Sequence, residues 1–145
     1  MRAAAAVPDK EAHDVPHPIH PFNRRASARL RAAPGCGAAA RLPAVALEFQ
    51  SLASAIALRT DAVVRDQLRR AGLSCVLNIA EGVGRRSRAQ KRHFYSIARG
   101  SAMECAAIID VLRVRGVVDA SEFRPARALL VRIVQMLTKL DQSLT

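Results

Sequence analysis

The sequence predicts an all-α protein: an antiparallel up-down-up-down four-helix bundle that follows a disordered N-terminal tail. Three observations support this prediction. From Pro43 onward, apolar residues recur at alternating spacings of three and four, which is typical of helices packed along a seam. The four periodic stretches are joined by short segments, and short connections make consecutive helices antiparallel neighbours. No period-two alternation, the pattern of a half-buried β-strand, competes with the helical one.

The N-terminal part of the chain differs in composition from the rest. Six of the seven prolines fall within residues 1–43, where no regular hydrophobic periodicity is present. Prolines at this density prevent a helix or a sheet from propagating. We therefore expect a disordered Pro/Ala/Arg-rich tail over residues 1–41 and a four-helix bundle over residues 42–145.

The cysteines and histidines give no sign of a metal site, a disulfide framework or a cofactor. The three cysteines, Cys36, Cys75 and Cys105, form no CxxC pair, and their odd number is typical of free thiols in a reducing cytoplasm. Three tail histidines lie four and three residues apart, but intervening prolines exclude the helix that would group them as metal ligands: His13, His17 and His20. We predict neither metal nor cofactor.

The charge balance favours an anionic partner. The chain has 23 Lys and Arg against 12 Asp and Glu, a formal net charge of +11. Such a surplus favours polyanions, anionic membrane surfaces or acidic protein partners over acidic substrates, and nucleic acid, RNA or DNA, is the leading candidate. Aromatic residues make up only 3% of the chain, which argues against base-stacking recognition and predicts contacts mainly to phosphate. Without a signal pattern or an apolar stretch of ~18 residues, we expect a soluble cytoplasmic protein that does not enter the membrane.

The first helix is predicted to begin at Pro43, which a first helical turn tolerates, and to end near Arg59 or Thr60. Its apolar stripe consists of Val45, Phe49, Leu52 and Ile56.

The second helix is predicted to begin at Thr60 or Asp61, either of which can cap a helix. One stripe consists of Val64, Leu68, Ala71, Cys75, Asn78 and Gly82. An adjacent stripe consists of Leu73, Val76, Leu77 and Ala80. Because more than half of its circumference is then apolar, we expect this helix to contact both its own bundle and a neighbouring subunit.

The last two helices are predicted to start with capping boxes. Ser87 with Gln90 would cap the third helix, which ends near Gly116, and Asp119 with Glu122 would cap the fourth. The stripe of the third helix is Phe94, Ala98, Ser101, Cys105, Ile108 and Leu112. That of the fourth is Ala126, Leu130, Ile133, Leu137, Leu140 and Leu144.

The stretch NIAEGVGRRS, residues 78–87, marks the turn between the second and third helices. Gly82 and Gly84 are expected to supply positive φ angles that end one helix and turn the chain. A run of basic residues follows: Arg85, Arg86, Arg88, Lys91 and Arg92. No acidic residue lies between Gly82 and Met103.

This run of cations opposes the helix dipole, whose positive end lies at the N-terminus. Placing like charge there costs up to about 1 kcal/mol per charge unless an anion offsets it. Because free backbone N–H groups at the same place also attract anions, the pattern predicts a phosphate-binding site. The alternative interpretation is a solvated basic face without a ligand, since charge runs are weakly specific.

Other polar residues near the turn are interpreted as structural. We expect Glu81 to pair with Arg85 or Arg99, and Asn78 to hydrogen bond to carbonyls freed at the turn. A catalytic acid with its orienting partner is the less favoured interpretation of Asn78 and Glu81. His93 is assigned to the basic face.

Small residues in the middle of the third helix predict a close helix–helix contact. A glycine there costs about 1 kcal/mol relative to alanine, and we expect Gly100, Ser101 and Ala102 to lie opposite Ala71 and Gly72. The two seam cysteines are predicted to be small core residues rather than nucleophiles.

The segments QLRRAGLSCVLNIAEGVGRRS and FYSIARGSAMECAAIIDVL resemble a bacterial family of four-helix bundles whose founding members are encoded in intervening sequences of 23S ribosomal RNA genes. The resemblance covers residues 43–145 and is densest over 67–112. The shared positions are Gln67, Arg69, Arg70, Ala71, Ser74, Asn78 to Gly82, Gly84, Arg85, Ser87, Phe94, Ala98 to Ser101 and Glu104.

This resemblance implies an antiparallel four-helix bundle that assembles as a homopentamer, with a basic surface and without catalytic residues. The family is also similar to the accessory bundle proteins of diversity-generating retroelements, which form basic pentameric barrels that bind nucleic acid and a reverse transcriptase.

Two hypotheses about function follow. The first is a non-enzymatic oligomeric bundle that binds RNA or DNA backbones with little base recognition. The residues assigned to this contact are Arg69, Arg70, Arg85, Arg86, Arg88, Lys91, Arg92 and Arg99. The second is a protein-interaction module that docks an acidic partner such as a polymerase or reverse transcriptase. An enzyme is least supported, because the sequence contains no recognisable acid–base pair, metal cluster or activated nucleophile.

Overall fold

The computed structural model describes residues 37–145, which form four α-helices and, within that range, no strand. The helices are α1 (Ala38–Ala57), α2 (Ala62–Gly84), α3 (Arg88–Val114) and α4 (Ala120–Ser143). Consecutive helices pack against each other, and α1 also packs against α4. The ring of contacts closes the antiparallel up-down-up-down bundle that the sequence predicts. None of the four helices combines the length and the hydrophobicity that a membrane-spanning segment requires.

Helix α1 begins earlier than the sequence predicts. It starts at Ala38, so Pro43 lies inside the helix and the last four residues of the predicted tail are helical. Three consecutive alanines, which have the highest helix propensity, account for this early start despite the hydrogen bond that the proline cannot donate. The rest of the predicted tail, with Cys36 and the three tail histidines, lies outside the described residues.

The two turns at one end of the bundle are closed by side-chain and backbone hydrogen bonds. Asp61, not Thr60, caps α2 by accepting from the Val64 N–H at 3.0 Å. Thr60 instead donates to the Ala57 carbonyl at 3.0 Å. The backbone hydrogen bond from Val64 holds the pKa of the Asp61 carboxyl below its usual value, with a smaller contribution from Arg115.

Helix α3 ends where the sequence predicts. Gly116 adopts a φ of +73°, and the Val117 N–H donates to the Leu112 carbonyl at 3.0 Å, which is a Schellman ending. Asp119 then caps α4 by accepting from Ser121 and Glu122. Glu122 does not complete the predicted capping box with its side chain, whose carboxylate accepts from Arg59 Nη2 at 2.7 Å instead.

The buried core follows the predicted seams with a shift in α3. Tyr95 and Ile109 are buried, whereas the predicted Phe94 and Ile108 are only half-buried. Each shift is one residue, or about 100° around the helix axis. The large side chains that solvent does not reach are Leu42, Phe49, Ile56, Leu68, Ile79, Ile109, Leu112, Val118, Leu130, Ile133 and Leu137.

Candidate nucleic-acid interface

The basic residues surround the turn between α2 and α3. Helix α2 continues through both predicted turn glycines to Gly84, and neither has a positive φ, so the prediction that they supply left-handed conformations is wrong. The chain instead leaves the helix at Arg85 in an extended conformation, with φ −76° and ψ 147°. Three residues later α3 begins, so the cations of this turn share one end of the bundle.

Gly82 has a packing role in place of the predicted backbone role. A Cβ placed on Gly82 would lie 2.7 Å from Cδ1 of Tyr95 and overlap Cε1 of the same ring. Tyr95 itself is only 3% exposed. The glycine therefore lets the aromatic ring of α3 pack directly on the backbone of α2. No sequence signal distinguishes this helix contact, because a glycine near a turn is equally typical of a helix ending.

Ser87 occupies the predicted N-cap position of α3 but does not cap with its side chain. The predicted capping box with Gln90 is therefore wrong. The Ser87 carbonyl accepts from the Lys91 N–H at 3.0 Å, which is the first hydrogen bond of the helix. No side-chain oxygen of the described residues accepts from the first N–H groups of α3, and the first turn contains no acidic residue. This arrangement is favourable for an anion.

Arg85 is engaged within the turn. Its Nη2 donates to Glu81 Oε2 at 2.6 Å, which confirms the first of the two predicted partners of Glu81. Its guanidinium also lies 4.9 Å from the centre of the Phe94 ring, which contacts the His93 ring edge-on. An exposed ion pair of this kind contributes at most about 1 kcal/mol. Arg85 is thus oriented by its neighbours yet remains accessible.

Arg92 has a partner that the sequence does not reveal. Its Nε donates to Asp141 Oδ1 at 3.0 Å, joining α3 to the end of α4. The two residues are 49 positions apart in the chain, so no local pattern indicates this pair. By contrast, Arg86, Arg88 and Lys91 make no ion pair with any residue of the described part of the chain.

The remaining predicted contact residues lie farther from the turn. Arg99 is about 16 Å from Arg88 along α3, at 1.5 Å per residue. Arg69 and Arg70 are exposed on α2, but Arg69 is roughly 22 Å along the axis from Gly84. The structure therefore brings the basic residues of positions 85–92 together and separates Arg69 and Arg70 from them.

Asn78 has a different role from the predicted one. Its Nδ2 donates to the Ser74 carbonyl at 2.8 Å, inside α2, rather than to carbonyls at the turn. The Ser74 hydroxyl in turn lies 2.9 Å from the hydroxyl of Ser101, which is buried on α3. Asn78, Ser74 and Ser101 thus form a polar contact between α2 and α3, and Ser74 lies about 15 Å along α2 from Gly84.

A sequence model of the 23S rRNA-intervening sequence proteins matches residues 43–139 of the chain. This range begins within α1 and ends within α4, so it includes the basic turn and all four helices that carry the core. The chain belongs to the 23S rRNA-intervening sequence protein family. No curated protein matches its sequence.

The close contact predicted between Gly100 on α3 and Gly72 on α2 is wrong at both glycines. Gly100 is exposed, and a Cβ placed on it would meet no atom within 4 Å, so the predicted close approach at Gly100 is wrong. A Cβ on Gly72 would overlap Oε1 of Gln50 and lie 3.3 Å from its Cδ. Gly72 therefore contacts the end of a flexible side chain of α1 and not the third helix. Ser101 and Ala102 are buried as part of the α3 seam.

The two described cysteines of the family member are core residues, as predicted. Burial raises the pKa of Cys75 to about 11 and that of Cys105 to about 12. Both thiols therefore stay protonated at neutral pH, and a protonated thiol is a poor nucleophile and metal ligand.

Proposed function

We propose that this 23S rRNA-intervening sequence protein is a non-enzymatic, oligomeric four-helix bundle of the cytoplasm that binds the phosphate backbone of RNA or DNA without sequence specificity. One observation supports the proposal. The segment from Gly82 to Met103 contains no acidic residue, and its Arg86, Arg88 and Lys91 lie around the start of α3. These three side chains are exposed or half-exposed and make no ion pair in the described residues.

The physical argument rests on charge that the fold leaves unbalanced. Cations near the positive end of a helix dipole destabilise the fold, and a phosphate group removes that cost while accepting from the free N–H groups. Each neutralised phosphate also releases counterions, so affinity falls as salt rises. Contacts of this kind go to the backbone and not to base edges, which supports binding without sequence specificity.

Changing Arg86, Arg88 and Lys91 together to glutamine should weaken binding by roughly a thousandfold at about 50 mM salt. The plot of log affinity against log salt should become less steep by about 2 to 3, since each lost phosphate contact removes about 0.7 to 0.9. The measurement is fluorescence anisotropy of the full chain with short RNA and DNA duplexes at several salt concentrations.

The matched control changes Arg124, Arg132 and Lys139 on α4 to glutamine. These three residues are exposed and make no ion pair in the described residues. It removes the same net charge from a different face, so a local site predicts a much smaller loss. Equal losses in both triple variants would mean that only overall charge matters. If the wild-type chain binds neither RNA nor DNA, the basic turn is a solvated face or docks an acidic protein.

The oligomeric part of the proposal rests on the outward face of α2. Leu73 and Leu77, from the second predicted stripe, are 51% and 54% exposed, and Ala80 beside them is also exposed. Apolar residues at helical spacing on an outer face are typical of a contact surface. The family resemblance to pentameric bundles makes a neighbouring copy of the chain the proposed partner.

Replacing Leu77 with glutamate should dissociate the assembly, because a charge buried in an apolar interface is costly. Analytical ultracentrifugation of the full chain should show a sedimentation shift toward the monomer. Leu58→Glu is the control, since Leu58 is 60% exposed at the turn between α1 and α2 and lies outside this stripe. A wild-type chain that sediments as a monomer would contradict the oligomer.

A further inference from the structure

A groove between α3 and α4 has a distinct composition from the basic turn. It has a volume of about 420 Å³ and is lined by Ala89, Arg92, His93, Ser96, Arg99 and Asp141. Five of these residues lie on successive turns of α3, and Asp141 comes from the end of α4. The groove therefore collects two guanidinium groups and a hydroxyl on one wall and a single carboxylate on the other.

The α3 wall of the groove holds donors without partners. Arg99 is half-buried, yet no acidic side chain of residues 37–145 pairs with it. The Ser96 hydroxyl is likewise free of hydrogen bonds to described residues. Spacings of four and three place Arg92, Ser96 and Arg99 on one side of the helix. A half-buried arginine without an acidic partner leaves its guanidinium donors available to an anionic ligand.

The α4 wall already supplies one anionic group. The Asp141 carboxylate accepts from Arg92 Nε at 3.0 Å and is the acidic residue that lines the groove. Asp141 neutralises Arg92. It leaves Arg99, about two helical turns farther along α3, without an acidic partner in the described residues. Asp141 thus stands where an incoming anion would bind Arg92, and it repels that anion at the same time.

We propose that this groove is a phosphate-binding subsite in which Arg99, Ser96 and Arg92 hold one phosphate group, and that Asp141 is the internal anion with which the phosphate competes. The proposal rests on the proposed backbone binding and adds a specific site to it. Arginine suits phosphate because its planar fork donates two parallel hydrogen bonds, and the serine hydroxyl supplies a further donor. The edge-on contact with Phe94 holds the His93 ring at the border of the groove.

The location fits a continuous strand of nucleic acid. Arg88 at the start of α3 and Arg99 in the groove are about 16 Å apart along the helix, which corresponds to roughly five nucleotide steps of 3.4 Å in one strand. One strand of about five or six nucleotides is therefore long enough to contact both the basic turn and the groove.

The test compares Asp141→Asn with Arg99→Gln in the full chain. Asp141→Asn should tighten binding of a short labelled RNA or DNA roughly two- to fivefold, because it removes a half-buried competing anion. Arg99→Gln should weaken binding by a similar factor and make the salt dependence less steep by about 0.7 to 0.9. Asp110→Asn is the matched control, since Asp110 pairs with Arg127 at 3.1 Å between the same two helices and lies outside the groove.

A second arm uses inorganic phosphate followed by NMR shifts of the His93 and Ser96 amides. Saturating shifts in the wild-type chain that are absent in Arg99→Gln support the subsite even if nucleic acid fails to bind, and would then assign it to free phosphate. Equal affinities for nucleic acid in Asp141→Asn and Asp110→Asn, or unchanged affinity in Arg99→Gln, overturn the subsite while leaving backbone binding at the basic turn intact. Absence of binding in both arms overturns the two proposals together.

Discussion

Replacing Gly82 with alanine should lower the free energy of unfolding by about 1–2 kcal/mol, although alanine is the better helix former. The added Cβ would overlap the buried ring of Tyr95, and forcing an extra carbon into a well-packed contact typically costs 1–3 kcal/mol. The higher helix propensity of alanine stabilises the protein by at most about 1 kcal/mol, so the steric cost makes the net change destabilising.

Gly100→Ala is the internal control for this substitution. It also lies inside a helix, but a Cβ there meets no atom within 4 Å, so the same change should stabilise the protein by up to about 1 kcal/mol. Urea unfolding monitored by circular dichroism gives both values. If the two variants shift stability in the same direction, the contact between Gly82 and Tyr95 is not what requires the glycine.

The four helices could be predicted because each rests on local and repeated information. The seams of α1, α2 and α4, the Asp119 cap and the Gly116 ending all follow from spacing or from residues with strong backbone preferences. The start of α1 could not be placed, because proline and alanine signals conflict within a few residues. The shift from Phe94 to Tyr95 also escapes prediction, since two adjacent aromatic residues fit the same spacing nearly equally well.

The basic turn could be predicted as a segment but not as a set of side-chain partners. Its cations are adjacent in sequence, so their common location follows from the short connection alone. Whether each cation has an ion-pair partner depends on acidic side chains from other helices, such as Asp141 beside Arg92. The predicted roles of Gly82 and Asn78 are wrong for the same reason. The nearby turn suggests a role for each residue, but Gly82 contacts Tyr95 on α3 and Asn78 hydrogen bonds to Ser74 within α2.

Replacing Tyr95 with alanine should lower the free energy of unfolding by about 3–5 kcal/mol, the range for removing a buried aromatic side chain from a core. Combined with Gly82→Ala, it should reveal strong coupling. Once the ring is gone, the alanine at position 82 meets free space, so the double variant should be no less stable than Tyr95→Ala alone. The non-additivity should then be about 1–3 kcal/mol, measurable as a double-mutant cycle by urea unfolding. Additive losses would mean that Gly82 and Tyr95 stabilise the bundle independently, and that their contact is not what requires a glycine at position 82.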